Sequence, residues 1–151
     1  MDQTSADKAR IARQFIEAIP FSRALQMRLE EIGEGVAVIS MPWSEMIVGD
    51  PTLSVVHGGA VSALMDTCGG AAVMSHPQAL AGTATIDLRI DYMRAATSGQ
   101  RITARAECYH LTRSVAFVRA EAWDEDRTRP VAAATGAFTV ERITPRDGGR
   151  S

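Results

Sequence analysis

The sequence is short of several things, and each shortage excludes a class of protein. It has two cysteines in 151 residues, Cys68 and Cys108. Both lie in apolar segments without a ligand spacing, so neither a zinc site nor a disulfide framework is expected. They read as small core residues of a protein in a reducing compartment. Lys8 is the only lysine, and the formal net charge is −2, so bulk electrostatics give no reason to expect nucleic-acid binding. No run of about 18 apolar residues occurs, which excludes a helical membrane span. Residues 11–19 are broken by Arg13, Gln14 and Glu17, so they do not read as a signal peptide. The expected location is therefore cytoplasmic. G-x-S-x-G, G-x-x-x-x-G-K-[ST], H-E-x-x-H and G-x-G-x-x-G are all missing. His76 and His110 are isolated, so no metal is expected.

What is present is ordinary globular composition, 46% hydrophobic and 23% charged. A chain of this length buries roughly two-thirds of its unfolded surface and can stand as one domain, residues 1–151, without staples. Residues 5–19 carry apolar side chains at helical spacing, with Ser5 as N-cap and Pro20 as the stop. Strands are expected over 24–32 and 36–41 around the turn Gly33-Glu34-Gly35, then a loop over 42–54. Gly58-Gly59 opens a run to Met74 that is apolar nearly all round, as a helix buried on every side would be. Its small residues Ala63, Gly69, Gly70 and Ala71 would let a sheet approach closely.

The last sixty residues alternate with a period of two. One face reads Ala84, Ile86, Leu88, Ile90, Tyr92; the next strands present Ile102 to Cys108, Ala116 to Ala122, and Ala132 to Val140. Short turns at 96–100, 111–114 and 124–130 join all four strands and imply an antiparallel meander. Residues 144–151 read as a tail. Helix, two strands, apolar helix, four strands: the economical packing is an α+β fold with one antiparallel sheet wrapped on a central helix.

Asp66 stands out because it interrupts that helix, and burying an unpaired carboxylate costs several kcal/mol. It is either a satisfied buried polar residue or a working one, with Ser62 one turn earlier and Thr67 adjoining it. His57-Gly58-Gly59 precedes the helix, where free N–H groups and the positive helix end suit an anion or a developing oxyanion. His57 could act as a base or fix the turn by hydrogen bonding. Asp87, Asp91 and Arg113 read by default as solvated.

The segment HGGAVSALMDTCGGAA resembles the central motif of the PaaI-type acyl-CoA thioesterases, a branch of the hotdog superfamily. The resemblance continues in TATIDLRIDYMRAA, LTRSVAFVRAEAW and VAAATGAFTV, and covers residues 20–140. It implies hydrolysis of acyl-CoA to free acid and CoA, with CoA part of the substrate and no cofactor. It implies Asp66 as nucleophile or general base, the Gly58 N–H as oxyanion donor, His57 as the residue that orients the turn, and Thr85 as a hydroxyl placing water or carboxylate. It further implies substrate contacts at Gly59, Thr67, Asp87, Tyr92, Arg113 and Ser114, with Arg113 for a phosphate. The site is expected between subunits of a homodimer or a dimer of dimers, with Asp66 and Thr85 on opposite sides of the interface. Many relatives carry Asn where this chain has Pro51, and Asp50 could assume part of that role. No Asp–His pair stands at the five-residue spacing of hotdog hydratases. A non-catalytic acyl-CoA-binding or regulatory module on the same fold is the alternative.

Overall fold

The computed structural model describes residues 3–78 and 80–142; the expected tail lies outside them. Helix α1 (Gln3–Ala18) already includes Ser5, which is therefore a helical residue and not the cap. Ile16 of α1 is buried, and Arg13 Nε donates to the Leu29 carbonyl at 3.2 Å, tying the helix to the first strand. Pro20 ends α1 and also begins a short α2 (Pro20–Ala24), because its fixed φ suits the first turn of a helix. The strand expected over 24–32 is correspondingly late, starting as β1 (Arg28–Gly33). It turns into β2 (Val36–Met41) through Glu34 and Gly35, both at positive φ, as a two-residue hairpin requires.

The expected loop over 42–54 holds a 3-10 turn (Glu45–Ile47) and β3 (Val48–Asp50), which pairs with β4 (Val55–Val56). Helix α3 (Gly58–Met74) follows, then β5 (Leu80–Gly82) and the long strands β6 (Thr85–Tyr92), β7 (Ile102–Leu111), β8 (Val115–Trp123) and β9 (Ala132–Thr139). β10 (Glu141–Arg142) pairs with β5. The main sheet is antiparallel in the order β1-β2-β7-β8-β9-β6. With α3 packed on it, this is the hotdog fold. The expected four-strand meander is corrected. It holds for β7-β8-β9, while β6 pairs with β9 and residues 93–101 carry the chain across the sheet to β7. A connection of that length can bridge strands that are not neighbours.

The period-two reading holds in the core. Ile102, Ala104, Ala106, Ala116, Val118, Ala120, Ala122, Ala132, Ala134 and Phe138 are all buried. Most are alanine, so the sheet offers a shallow floor on which a helix can lie close. The approach is tightest at Gly69, where a Cβ would come 2.8 Å from Phe138 Cζ. Leu64 and Met65, fully buried between helix and sheet, contribute about 1.5–3 kcal/mol each.

The helix is not buried on every side, however. Ser62, Ala63, Asp66, Thr67 and Gly70 are half-buried and Met74 is exposed. The sheet curves around one side only, and this face of α3 is left open along most of its length.

Candidate active site

His57 is the N-cap of α3: its extended backbone stands outside the helix while Nδ1 accepts from the Gly59 N–H at 2.8 Å. Ala60 N–H goes to the His57 carbonyl. Among the described hydrogen bonds none uses the Gly58 N–H, and Gly58 is exposed. One unspent donor is thus left at the positive end of a long helix. His57 fixes the turn, the second of the two roles open to it. Gly49 packs against it so closely that a Cβ there would lie 2.8 Å from His57 Cα. Asp50 Oδ1 accepts from the Thr52 and Leu53 N–H groups at 2.9 and 3.4 Å, so that carboxylate serves its own turn.

Asp66 lies a little over two turns further along α3, half-buried, and Thr85 Oγ1 donates to its Oδ1 at 2.6 Å. A hydroxyl on a carboxylate at that length is a charge-assisted bond. The expectation that these two residues face each other across a subunit interface is corrected here, since one chain holds both. Strict alternation along β6 would have put Thr85 on the face opposite Leu88 and Ile90. A bulge prevents that. Thr85 pairs with Phe138 and Asp87 with Ala137, so β6 carries one extra residue, Ile86, between them. The bulge flips the phase, and Thr85 shares the inner face with buried Phe138. Ile86, expected inside, is 56% exposed as the bulged residue.

Tyr92, at the far end of β6, donates its hydroxyl to the Gly58 carbonyl at 2.9 Å. One strand therefore touches α3 twice, at its N-terminus and at its carboxylate. A cleft of about 280 Å³ opens beside this contact, lined by Val56, Gly58, Val61, Tyr92, Met93 and Arg94. Thr67 Oγ1 donates back to the Ala63 carbonyl at 2.8 Å, within its own helix. Asp87 pairs with Ala137 on the outer face of the sheet and is exposed. Arg113 and Ser114 are exposed in the β7–β8 turn. They stand at the same end of the sheet as Thr85, because Val140 N–H bonds to the Ser114 carbonyl and Ala116 pairs with Phe138. Within one chain the structure thus joins Asp66 to Thr85, and Gly58 to Tyr92 and His57. It does not bring Asp87 to either group.

One cluster escaped the sequence reading. Asp124 is buried and accepts from Arg94 Nη1 and Nη2 at 2.6 and 2.8 Å, from Thr97 N–H and Oγ1, and from Asp126 N–H. The Arg94 guanidinium holds the carboxyl far below its usual range. This clamp fixes residues 94–97, of which Arg94, Ala95 and Ala96 wall the cleft beside Gly58. The available signal was an Asp at the start of a tight turn, where it bonds nearby N–H groups. Cys68 is inert: burial pushes its thiol up to about 12, and Sγ donates to the Ala37 and Ala104 carbonyls.

Similarity to known proteins identifies the family. Residues 53–131, which run from before His57 to the start of β9, match the family model described as Thioesterase superfamily. The chain belongs to that superfamily. As a thioester hydrolase it is 31% identical over 143 residues to the Escherichia coli protein named medium/long-chain acyl-CoA thioesterase YigI, covering 86% of this chain and 91% of YigI. It is 30% identical to a putative esterase of Halobacterium salinarum, covering 90% and 94% of the two chains. Among solved structures, a Pseudomonas aeruginosa protein superposes with a TM-score of 0.76 at 36% identity, over 87% of this thioesterase and 97% of that chain. The E. coli PaaI protein from the phenylacetic acid degradation operon superposes at 0.78 over 91% and 95%, and its 24% identity speaks for the fold. No described helix of this thioesterase is long and apolar enough to cross a membrane.

Proposed function

We propose that the protein hydrolyses acyl-CoA thioesters to the free carboxylic acid and CoA, with Asp66 as general base. The observation that carries this is the Thr85–Asp66 hydrogen bond. It occupies Oδ1 and leaves Oδ2 on the open face of α3, where a water can be held. In the reaction that water's oxygen attacks the thioester carbon while its proton passes to Asp66. The C–S bond breaks, the electron pair leaves with sulfur, and the proton goes on to the CoA thiolate. The negative charge that builds on the carbonyl oxygen needs a donor, and the Gly58 N–H is unspent.

The two groups belong to different subunits in this reading. Gly58 and Asp66 are eight residues apart on one helix, about 12 Å at 1.5 Å per residue. No single carbonyl group spans that distance, so the donor for one Asp66 is the Gly58 of a second copy. β6 supports the same arrangement. It is an edge strand of eight residues with Ile86 and Tyr92 exposed and Met93 exposed just beyond it, and such an edge invites pairing with its own kind. A homodimer joined there brings the open faces of two α3 helices together and makes two equivalent sites. Arg113 lies at the Thr85 end of the sheet, on hand for a CoA phosphate.

The acyl group we assign is medium to long, because YigI is named for that class and because Ala63 and Gly70 flank Asp66 without bulk on the open face. A non-catalytic acyl-CoA-binding module built on the same fold has no use for a carboxylate oriented by a hydroxyl. The test is thiol release from short, medium, long and aromatic acyl-CoAs by wild type and Asp66→Asn. Wild type is expected to turn over the medium and long members, and the variant to lose about 10²- to 10⁴-fold in kcat with CoA affinity retained. A folded dimeric wild type that binds CoA and hydrolyses none of them would move the assignment to the binding module.

A further inference from the structure

We infer that Gly136, on β9 and remote from the reacting atoms, is a positioning residue for the hydrolysis. It acts through the β6 bulge on Thr85 and thence on Asp66. The inference rests on Asp66 as base and concerns what aims it.

Gly136 pairs with Leu88, two residues past Ile86, the extra residue of β6. There β6 lies unusually close. A Cβ on Gly136 would stand 2.5 Å from the Asp87 carbonyl oxygen, 2.9 Å from Leu88 Cδ1 and 3.3 Å from Leu88 Cα. Ordinary carbon–oxygen contacts in sheets are about 3.3–3.6 Å, so an alanine would drive the strands apart by about 1 Å. β9 is bonded on both sides, to β8 and to β6, whereas β6 is the terminal strand of this chain's sheet. Within the chain β6 is the less held of the two strands, so the retreat falls on it and carries the second copy's β6 with it across the dimer seam.

Thr85 stands two residues before that carbonyl, across the bulge. Its hydroxyl reaches Asp66 at 2.6 Å, and such a bond does not survive an added ångström. The inner-face position of Thr85 also depends on Ile86 being accommodated as the extra residue, which the bare backbone of Gly136 permits. Ala134, the previous inward residue of β9, pairs with Ile90 in regular register and carries a Cβ without difficulty. The requirement for glycine is local to the bulge.

The experiment compares kcat and KM of wild type, Thr85→Val, Gly136→Ala and the double variant on a medium-chain acyl-CoA, with dimer content and melting temperature measured on each. Thr85→Val removes a hydrogen bond to a charged group, a loss of about 10- to 100-fold in kcat. Gly136→Ala is expected to lose a similar factor with KM within about twofold, and the double variant to be no worse than Thr85→Val alone. A glycine that served stability alone would lower the melting temperature and leave kcat of the folded dimer in place. The inference is overturned if Gly136→Ala keeps kcat within about twofold of wild type, or if the two losses multiply. Should Gly136→Ala fail to fold, deletion of Ile86 decides the matter, since a regular β6 leaves room for a Cβ on the facing residue of β9. The deletion variant should then fold with either glycine or alanine at that position, and one that folds only with glycine sinks the inference. Wild-type turnover and Asp66→Asn judge the underlying reaction separately.

Discussion

The carboxylates of this protein divide by what surrounds them. Asp66 has one hydroxyl partner and an open side, so it is oriented and still has an oxygen free. Asp124 has both oxygens filled by Arg94, Thr97 and the turn, so it can only hold structure. The second case gives a prediction with a definite sign. Its folded pKa is depressed by Arg94, so the stability it contributes is present above the unfolded carboxylate value of about 3.9 and lost as pH falls below it. Urea unfolding should show wild type losing about 1 kcal/mol more between pH 7 and pH 3 than Asp124→Asn does. At pH 7 the substitution itself should cost about 3 kcal/mol, because it leaves the half-buried Arg94 guanidinium without its charge partner. Equal losses in the two proteins between pH 7 and pH 3 would show that the clamp is not what acid breaks.

At the scale of the element, α3 and β6 do most of the positioning, and they were unequally legible. The helix announced itself: Gly58-Gly59 at its start, an apolar run, one aspartate. Its end geometry follows from local chemistry, since His57 caps it in an extended conformation, φ −60° and ψ 132°. That geometry makes Gly58→Pro a clean probe. Proline suits the first helical position, an extended residue suits the place before it, and a Cβ at Gly58 meets Tyr92 at an ordinary 3.5 Å. The variant should fold with a melting temperature near wild type and lose about 10²- to 10³-fold in kcat, because only the N–H is gone. Retained kcat in a folded variant would remove Gly58 from the oxyanion role.

β6 was legible as a strand and misleading in detail. Its alternation assigned Ile86 inward and Thr85 outward, and the bulge reversed both. A bulge depends on what the neighbouring strand allows at one residue, here Gly136, and a pattern read along a single strand does not contain that. Distance in the chain likewise hid the Arg94–Asp124 pair, whose partners are 30 residues apart. α2 was hidden for a local reason, since Pro20 was read only as the end of one helix and it also opens the next. The inward faces of β7, β8 and β9 came through correctly because burial there follows from alternation alone.

In the proposed reaction one copy holds both halves of the chemistry and can use neither half alone. Each chain presents a carboxylate in mid-helix and a donor at the helix end, too far apart to meet on one thioester, and an edge strand on which a second copy can pair. The measurement that tests this most directly mixes two inactive variants. Asp66→Asn and Gly58→Pro are co-expressed with different tags, and the hybrid dimers are isolated and assayed on a medium-chain acyl-CoA. In a hybrid, one of the two sites draws Asp66 from one subunit and Gly58 from the other, both wild type. Purified hybrids should therefore recover about half of the wild-type kcat per dimer, and an unfractionated statistical mixture about a quarter. Hybrids that form and stay as inactive as their parents would contradict a site shared between Asp66 of one subunit and Gly58 of the next.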